Sequence, residues 1–266
     1  MSAIGASVLA QSKTFYDREY AAAEYANADT HGDAGGLPEL NEFVQRFHLS
    51  RDRKCLEIGC GRGIYQDLVE DYTGVDLSES VGRLMRKPFH ACSATELPFE
   101  ESTFDAAWSI WVLEHVPEPE KALLEMRRVL RPGAVLFFAP AWQCRPWAAD
   151  GYPVRPYSDF DLKGKLIKAS IPVRNSIAFR SSYIFPRRVA RLGAWKATGR
   201  PLNFRCGTLK PNYEKFWVSD SDAVNSMDPY EAILWFRSRG DEILHPSTPM
   251  SQFLVRNGHL IVRINK

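Results

Sequence analysis

The sequence predicts an α/β protein: a Rossmann-like, doubly wound sheet, mostly parallel with an antiparallel last strand, carrying an inserted basic and aromatic cap region. Three observations predict it. A short apolar run, Cys55-Leu56-Glu57-Ile58, ends in glycines at alternate positions, Gly59, Gly61 and Gly63. Such a run delivers a buried strand into a tight loop that lies close against a ligand. Strand-length apolar runs then alternate with helix-length segments as far as Ala139, which is the pattern of βαβ units. After Ala141 the alternation stops, and it resumes only at Asp228.

The elements follow in order. Ser7 to Ala28 is Ala-rich, with Phe15, Tyr16, Tyr20 and Tyr25 spaced for one helical face. His31 to Gly36 breaks it, and Leu37 to Phe47 resumes a helix with Pro38 in its first turn. Residues 1–50 read as an N-terminal helical lid. Lys54 to Ile58 is the first strand and Ile64 to Asp71 the helix after the loop. Tyr72 to Asp76 is a second strand ending in a carboxylate. Ser78 is placed to cap a helix running to Lys87. Phe89 to Cys92 is a third strand, and Phe104 to Ile110 a fourth, apolar as a buried parallel strand should be. Pro117 to Leu130 is an amphipathic helix stopped by Pro132-Gly133. Ala134 to Ala139 is the fifth strand. From Asp228-Pro229 a helix runs to Arg239, and Glu242 to His245 and His259 to Ile264 are the final strands. Residues 51–141 and 227–266 thus form one nucleotide-type domain, and 142–226 an insertion.

Composition narrows the class. The chain has 266 residues, 45% hydrophobic and 25% charged, an ordinary globular balance that excludes a disordered or fibrous protein. Five scattered cysteines contain no C-x-x-C pair, so they read as small buried hydrophobes rather than as a zinc site. No run of 18 apolar residues exists to span a membrane, and the first ten residues lack the basic start of a signal peptide. A cytoplasmic location is expected. The net charge of +2 conceals an asymmetry, because Ala141 to Trp217 holds 15 Lys/Arg against 4 Asp/Glu.

In doubly wound sheets, ligands sit beyond the carboxyl ends of the strands. Gly59, Asp76, Ala94 and Ser109 to Trp111 all fall at such ends. The loop is Gly59-x-Gly61-x-Gly63, which is not the G-x-G-x-x-G of dinucleotide sites. An adenosyl cofactor without a pyrophosphate needs only close backbone approach to a ribose and an amino-acid tail. Asp76 is placed to accept from ribose hydroxyls. Glu57 is placed to hold an ammonium group, directly or through water.

The motifs Cys55-Leu56-Glu57-Ile58-Gly59-Cys60-Gly61-Arg62-Gly63, Gly74-Val75-Asp76-Leu77-Ser78, Leu97-Pro98-Phe99, Phe104-Asp105, Val112-Leu113-Glu114-His115-Val116 and Leu130-Arg131-Pro132-Gly133 occur in this order. In that order the chain, from about Lys54 to Pro140, resembles class I S-adenosylmethionine-dependent methyltransferases of the type 11 group, which includes ubiquinone-biosynthesis methyltransferases. The resemblance implies that Gly59 and Gly61 line the methionine part of the cofactor. Asp76 would bind the ribose with Leu77 against the adenine, Thr95 would contribute backbone near the adenine edge, and Ser109 or Ile110 would flank the cofactor. One departure stands out. Where the family often has an Asp for the adenine amino group, this chain has Ser93; either Ser93 or Glu96 takes that place. The resemblance also suggests that Tyr16 and Tyr20 close over the cofactor.

Methyl transfer from a sulfonium has a neutral leaving group, so alignment and exclusion of water are the main requirements. A hydroxyl acceptor gains from a base. His115 is the candidate, with an ordinary pKa suited to neutral pH; its structural alternative is to brace the next helix. Trp108 and Trp111 read as crevice wall or as a cage for a charged acceptor. The basic insertion is expected to decide the acceptor. Leu162 to Lys168 and Phe179 to Arg191 set cations beside aromatics and aliphatics, which suits an anionic membrane surface through 160–191, phosphates on a lipid-linked or nucleotide-linked sugar, a partner-docking surface, or simply a solvated cap with its own small core. No RNA-binding motif is present, so nucleic acid is not expected. Tyr213, Phe216, Trp217, Asp220, Asp222 and Asp228 form a sugar-binding wall, or Ser219 to Asp222 is an ordinary turn and helix start. The expected function is methylation of a small-molecule or saccharide-type acceptor, most readily at oxygen. C- or N-methylation and a non-catalytic cofactor-binding scaffold are the alternatives.

Overall fold

The computed structural model describes residues 3–21 and 37–266. The expected break at His31 to Gly36, Tyr25 and the end of the first helix lie outside them. Seven strands form the main sheet: β1 (Cys55–Ile58), β2 (Tyr72–Asp76), β3 (Phe89–Ala91), β4 (Phe104–Ile110), β5 (Leu130–Ala139), β8 (Glu242–His245) and β9 (Leu260–Arg263). Their spatial order is β3-β2-β1-β4-β5-β9-β8. Strands β1 to β5 pair in parallel, and β9 lies antiparallel between β5 and β8. The order reverses at β1 and β4, which is where a crevice opens in such sheets.

Alternation along each strand explains the two cores. Leu56, Ile58 and Ala107 face helices α3 (Pro119–Val129) and α6 (Pro229–Arg237). Cys55, Trp108 and Phe137 face α2 (Pro38–Arg46). Both faces of the sheet are therefore covered, as a parallel sheet requires. In α6 the run Ala232 to Phe236 is fully buried. Each such large apolar side chain contributes about 1.5–3 kcal/mol relative to exposure.

Two expected helices differ. Ile64 to Asp71 is a series of turns, not a helix. The amide of Gln66 bonds to Gly63 O and that of Leu68 to Tyr65 O, three residues back, while that of Glu70 goes to Ser50 O. The Gln66 amide group is also committed, donating to Gly63 O at 2.9 Å and accepting from the Arg86 N–H at 2.7 Å. Ser78 caps as expected, its Oγ accepting from the Ser80 N–H at 3.2 Å. The helix it starts is a short 3-10 turn, Glu79–Arg83, rather than one reaching Lys87. The amide of Leu84 closes it on Val81 O, and Pro88 disfavours helix at the residue before it.

Residues 142–226 add helices α4 (Leu162–Asn175) and α5 (Ile177–Thr198) and a two-stranded ribbon, β6 (Cys206–Thr208) with β7 (Asn225–Met227). Helix α5 is tied to the α6 region by Arg188–Asp228 and Arg191–Glu231, each 2.7 Å. Helix α1 (Ala3–Ala21) bridges the two regions. Asp17 accepts from Ser78 Oγ at 2.6 Å, and Ser12 shares a 2.6 Å hydrogen bond with Tyr213.

Candidate active site

One large cleft lies at the carboxyl ends of β1, β2 and β4, with a volume of about 1360 Å³. Its cofactor-side wall is the glycine loop. Gly59 adopts φ +74°, and a Cβ there would stand 2.1 Å from Val112 Cγ2. Only glycine satisfies both the left-handed backbone and the contact. The loop is pinned by Gly59 and Cys60 N–H groups, both donating to Val75 O, at 2.8 and 3.0 Å. At Gly61, φ +46°, a Cβ would reach to 3.1 Å from the Tyr20 hydroxyl.

Asp76 closes β2 and faces this loop. Its carboxylate accepts from Gly61 N–H at 2.9 Å and Ser78 N–H at 3.0 Å. It is 8% exposed. Burial raises its pKa, and the N–H groups of Ser78, Gly61 and Leu77 oppose that rise. Both oxygens keep lone-pair capacity for a ligand diol. Glu57 is buried behind the loop. Burial pushes its carboxyl up to about 8, while the Tyr72 hydroxyl, which donates to it, favours the ionised form.

The opposite wall is acidic. Tyr16 donates to Asp222 Oδ2 at 2.5 Å. His115 Nδ1 lies 3.3 Å from the same oxygen, and His115 Nε2 lies 3.7 Å from Glu114 Oε1. Burial works against a charge on His115, but Asp222, Glu114 and Asp220 outweigh it and raise its pKa. Burial pushes Glu114 up to about 7 against the pull of His115. Neither Glu114 oxygen has a hydrogen-bond partner among the described residues. Trp111 stands at the mouth, 48% exposed, as crevice wall, whereas Trp108 is entirely core.

Of the residues singled out from sequence, Tyr16, Glu57, Gly59, Gly61, Asp76, Leu77, Ser93, Ile110 and His115 all line this cleft. Thr95, Glu96 and Ser109 do not. Thr95 is buried and braces Ser93, their hydroxyls 2.8 Å apart. Glu96 is exposed to solvent, so Ser93 is the residue at the cleft. Strand alternation turns Ser109 away from the face that Ile110 presents, and its buried hydroxyl has no partner. In the sequence Asp222 reads only as part of a sugar-binding wall or a turn and Glu114 only within its motif; neither is assigned there as a partner of His115. Asp222 is carried in by the 212–222 segment, 107 positions from His115 in sequence, and only tertiary structure joins them. A carboxylate following an aromatic cluster was the one signal for it.

Residues 56–138 match the family described as methyltransferase domain. This part of the chain is a class I S-adenosylmethionine-dependent methyltransferase domain. The methyltransferase domain also has curated relatives. Sterol 4-C-methyltransferase strm-1 of Caenorhabditis elegans is 32% identical over 106 residues, 34% of this chain and 32% of that protein. Ubiquinone biosynthesis O-methyltransferase of Hydrogenovibrio crunogenus is 28% identical over 129 residues, 42% of this chain and 54% of that protein. The matched methyltransferase segment thus spans about a third to a half of these relatives. The 1,6-didemethyltoxoflavin-N1-methyltransferase of Burkholderia thailandensis, solved with 1,6-didemethyltoxoflavin and S-adenosylhomocysteine, aligns over 100% of this chain and 92% of its own. Its TM-score is 0.51 at 14% identity, a likeness of fold.

The cofactor of the methyltransferase domain is S-adenosylmethionine, and the residues present suit it. The glycine loop and Asp76 line the same cleft, and the Asp76 carboxylate, which accepts from Gly61 and Ser78 N–H, keeps lone-pair capacity for a diol. Burial raises the Glu57 carboxyl to about 8, and a cation brought beside it would favour its ionised form.

Proposed function

We propose that this chain transfers a methyl group from S-adenosylmethionine to a hydroxyl of a small-molecule acceptor, saccharide-type acceptors included. The observation that carries this reading is the shared cleft: Gly59, Gly61 and Asp76 line the same cavity as His115, Asp220 and Asp222. Its volume of about 1360 Å³ exceeds the ~300–1,000 Å³ of a typical single-ligand pocket. Cofactor and acceptor therefore have room side by side.

When bound, the cofactor supplies an electrophilic methyl group on a sulfonium with a neutral leaving group. The chain does the rest. Gly59 and Gly61 hold the amino-acid tail, with Glu57 against its ammonium. Asp76 takes the ribose, Leu77 and Ile110 flank the adenosyl group, and Ser93 meets the adenine edge. His115 accepts the acceptor's hydroxyl proton. Asp222 and Glu114 stabilise the imidazolium that forms, and Tyr16 holds Asp222 in place. Helix α1, domain boundary 1–50, covers the cleft and excludes water; residues 142–226 form the acceptor side.

A second reading, N-methylation, is supported by the same acidic wall, since Asp220 and Asp222, which line the cleft, would hold an ammonium. Acceptor pH profiles separate the two. An amine must lose its proton before attack, so its rate rises with pH well beyond the His115 transition.

The exposed face of α4 and α5 supports a peripheral role at an anionic membrane. Leu162, Leu166 and Ile177 are 75%, 65% and 75% exposed, interleaved with Lys163 and Lys165. Among the described residues no helix is long and apolar enough to cross a membrane. Sedimentation with anionic vesicles at low salt is expected to carry the protein down; no binding would end this part of the reading.

The activity itself is tested with methyl-labelled cofactor and separated small-molecule, lipid and RNA fractions. Label is expected in a small-molecule fraction with the wild type and not with Asp76→Ala. Cofactor binding with no transfer to any fraction would instead mark a non-catalytic scaffold.

A further inference from the structure

A second cavity of about 500 Å³ adjoins the cleft and shares Ser219 and Asp220 with it as walls. Three arginines from separate parts of the chain meet there: Arg145 after β5, Arg180 in α5 and Arg256 before β9. Trp142 and Trp147 supply aromatic wall. No carboxylate pairs with any of the three arginines among the described residues, although Arg188 and Arg191, on the same helix as Arg180, are both ion-paired.

The donors in this cavity are left over. Arg180 Nε, Arg256 Nη2 and Gln143 Nε2 are buried with no hydrogen-bond partner. Gln143 is 8% exposed, and its carbonyl oxygen accepts from Arg180 Nη2, which fixes its amide NH2 as a spare donor. Among the described residues Arg256 reaches Ser181 Oγ alone, at 3.4 Å. Burial lowers the pKa of Arg145 and Arg180, and repulsion from the neighbouring arginines adds to it. Unmet buried donors each cost about 1–3 kcal/mol, more when charged. The cavity is thus a set of oriented cationic donors without an anion. The one acid in its wall, Asp220, has its carboxyl pushed up by burial and lies on the side of His115.

We propose that this cavity binds a phosphoryl group, and that the group is the anionic handle of the methyl acceptor. The second half rests on the proposed transferase function; the anion site does not. Guanidinium forks match phosphate oxygens in geometry and charge. Three of them suit a dianion better than a single carboxylate. An acceptor held there by its phosphate presents its remaining hydroxyls across Ser219 and Asp220 toward His115, which gives the inserted region the task of choosing the substrate.

The test uses the full chain and three probes: inorganic pyrophosphate, phenyl phosphate and S-adenosylhomocysteine. Binding is followed by tryptophan fluorescence and by thermal shift. Saturable stabilisation by the phosphates is expected. Arg145→Gln and Arg180→Gln are expected to weaken phosphate binding roughly ten- to a hundredfold, to leave S-adenosylhomocysteine binding unchanged, and to raise the melting temperature of the free protein by relieving repulsion. Arg256→Gln serves as a third variant. Phosphates without effect, or binding unchanged in the variants, would overturn the site. So would variants that only lower the melting temperature, which would make these arginines packing groups. Arginine-dependent binding to phosphatidylglycerol vesicles with no response to soluble phosphates would replace the small acceptor by a membrane surface. Phosphate binding without S-adenosylhomocysteine binding would sink the transferase reading and leave the anion site standing.

Discussion

Asp76 and Arg188 are both charged and both nearly buried, at 8% and 3% exposed, but the regions that hold them do so differently. In the cofactor region the main chain does the holding: Asp76 accepts from the N–H groups of Gly61 and Ser78. In the inserted region side chains do it. Arg188 pairs with Asp228 at 2.7 Å and donates to the carbonyls of Phe253 and Val255. Close by, Arg145, Arg180 and Arg256 are given no acid. Main-chain sites are written locally, as glycines at fixed spacing. Side-chain sites are written in pairs far apart in sequence, so a local excess of Lys and Arg does not say which cations are structural and which await a ligand.

The largest effect is expected from breaking a side-chain site. Asp228→Ala strands the buried Arg188 and removes the cap that accepts from Tyr230 N–H at 2.8 Å. About 3–5 kcal/mol of stability should be lost, measured as a fall in the urea midpoint at unchanged slope. A loss below ~1 kcal/mol would mean that the ion pair does not hold the insertion down.

Breaking the main-chain site should act on binding instead. Asp76→Ala is expected to lower S-adenosylhomocysteine affinity about a hundredfold, the scale of losing charged hydrogen bonds to a diol. Stability should fall by only about 1–3 kcal/mol, because the Gly61 and Ser78 N–H groups lose their acceptor while the desolvation of a buried carboxylate is relieved. Calorimetry and thermal melts on one preparation separate the two effects.

Stability should also fall with rising pH, and for a reason confined to the cleft. The folded pKa values of Glu57 and Glu114 are raised to about 8 and about 7 from 4.5. Raised carboxyls favour the folded state fully below pH ~4.5, and that contribution is lost as pH climbs through the folded values. His115, also raised, acts in the same direction above its ordinary value. Each group adds at most about 1.4 kcal/mol per pH unit. Glu57→Gln should flatten the decline between pH 5 and 8 in denaturation curves; an unchanged slope would place the dependence elsewhere.

The smallest effect is expected at the join between the regions. Tyr16→Phe removes the 2.5 Å hydrogen bond to Asp222, worth about 1 kcal/mol. Acceptor KM and the pH profile of turnover should shift, with cofactor affinity altered less than about threefold. A large loss of cofactor affinity would return Tyr16 to the cofactor wall.

The same contrast explains what could be read from the sequence. The glycine loop, Asp76 at the end of β2, the succession of strands and helices to β5 and the antiparallel last strand were legible because each depends on local spacing or strand alternation. So was the cap at Ser78. The segment Ile64 to Asp71 was not, because Gln66 and Glu70 send their hydrogen bonds outside any helix. Of the alternatives Ser109 and Ile110, only Ile110 lines the cleft, because strand alternation turns its neighbour away. The aromatic and acidic cluster holding Asp222 was visible, but its place beside His115 and the meeting of Arg145, Arg180 and Arg256 depend on folding of the insertion.

The most direct test is a paired titration. S-adenosylhomocysteine and pyrophosphate are each titrated into the wild type, Asp76→Ala and Arg180→Gln. The expected result is a double dissociation: Asp76→Ala loses the nucleoside and keeps the phosphate, and Arg180→Gln does the reverse. Loss of both ligands in either folded variant, or of neither, would contradict a cleft divided between a main-chain cofactor site and a side-chain acceptor site.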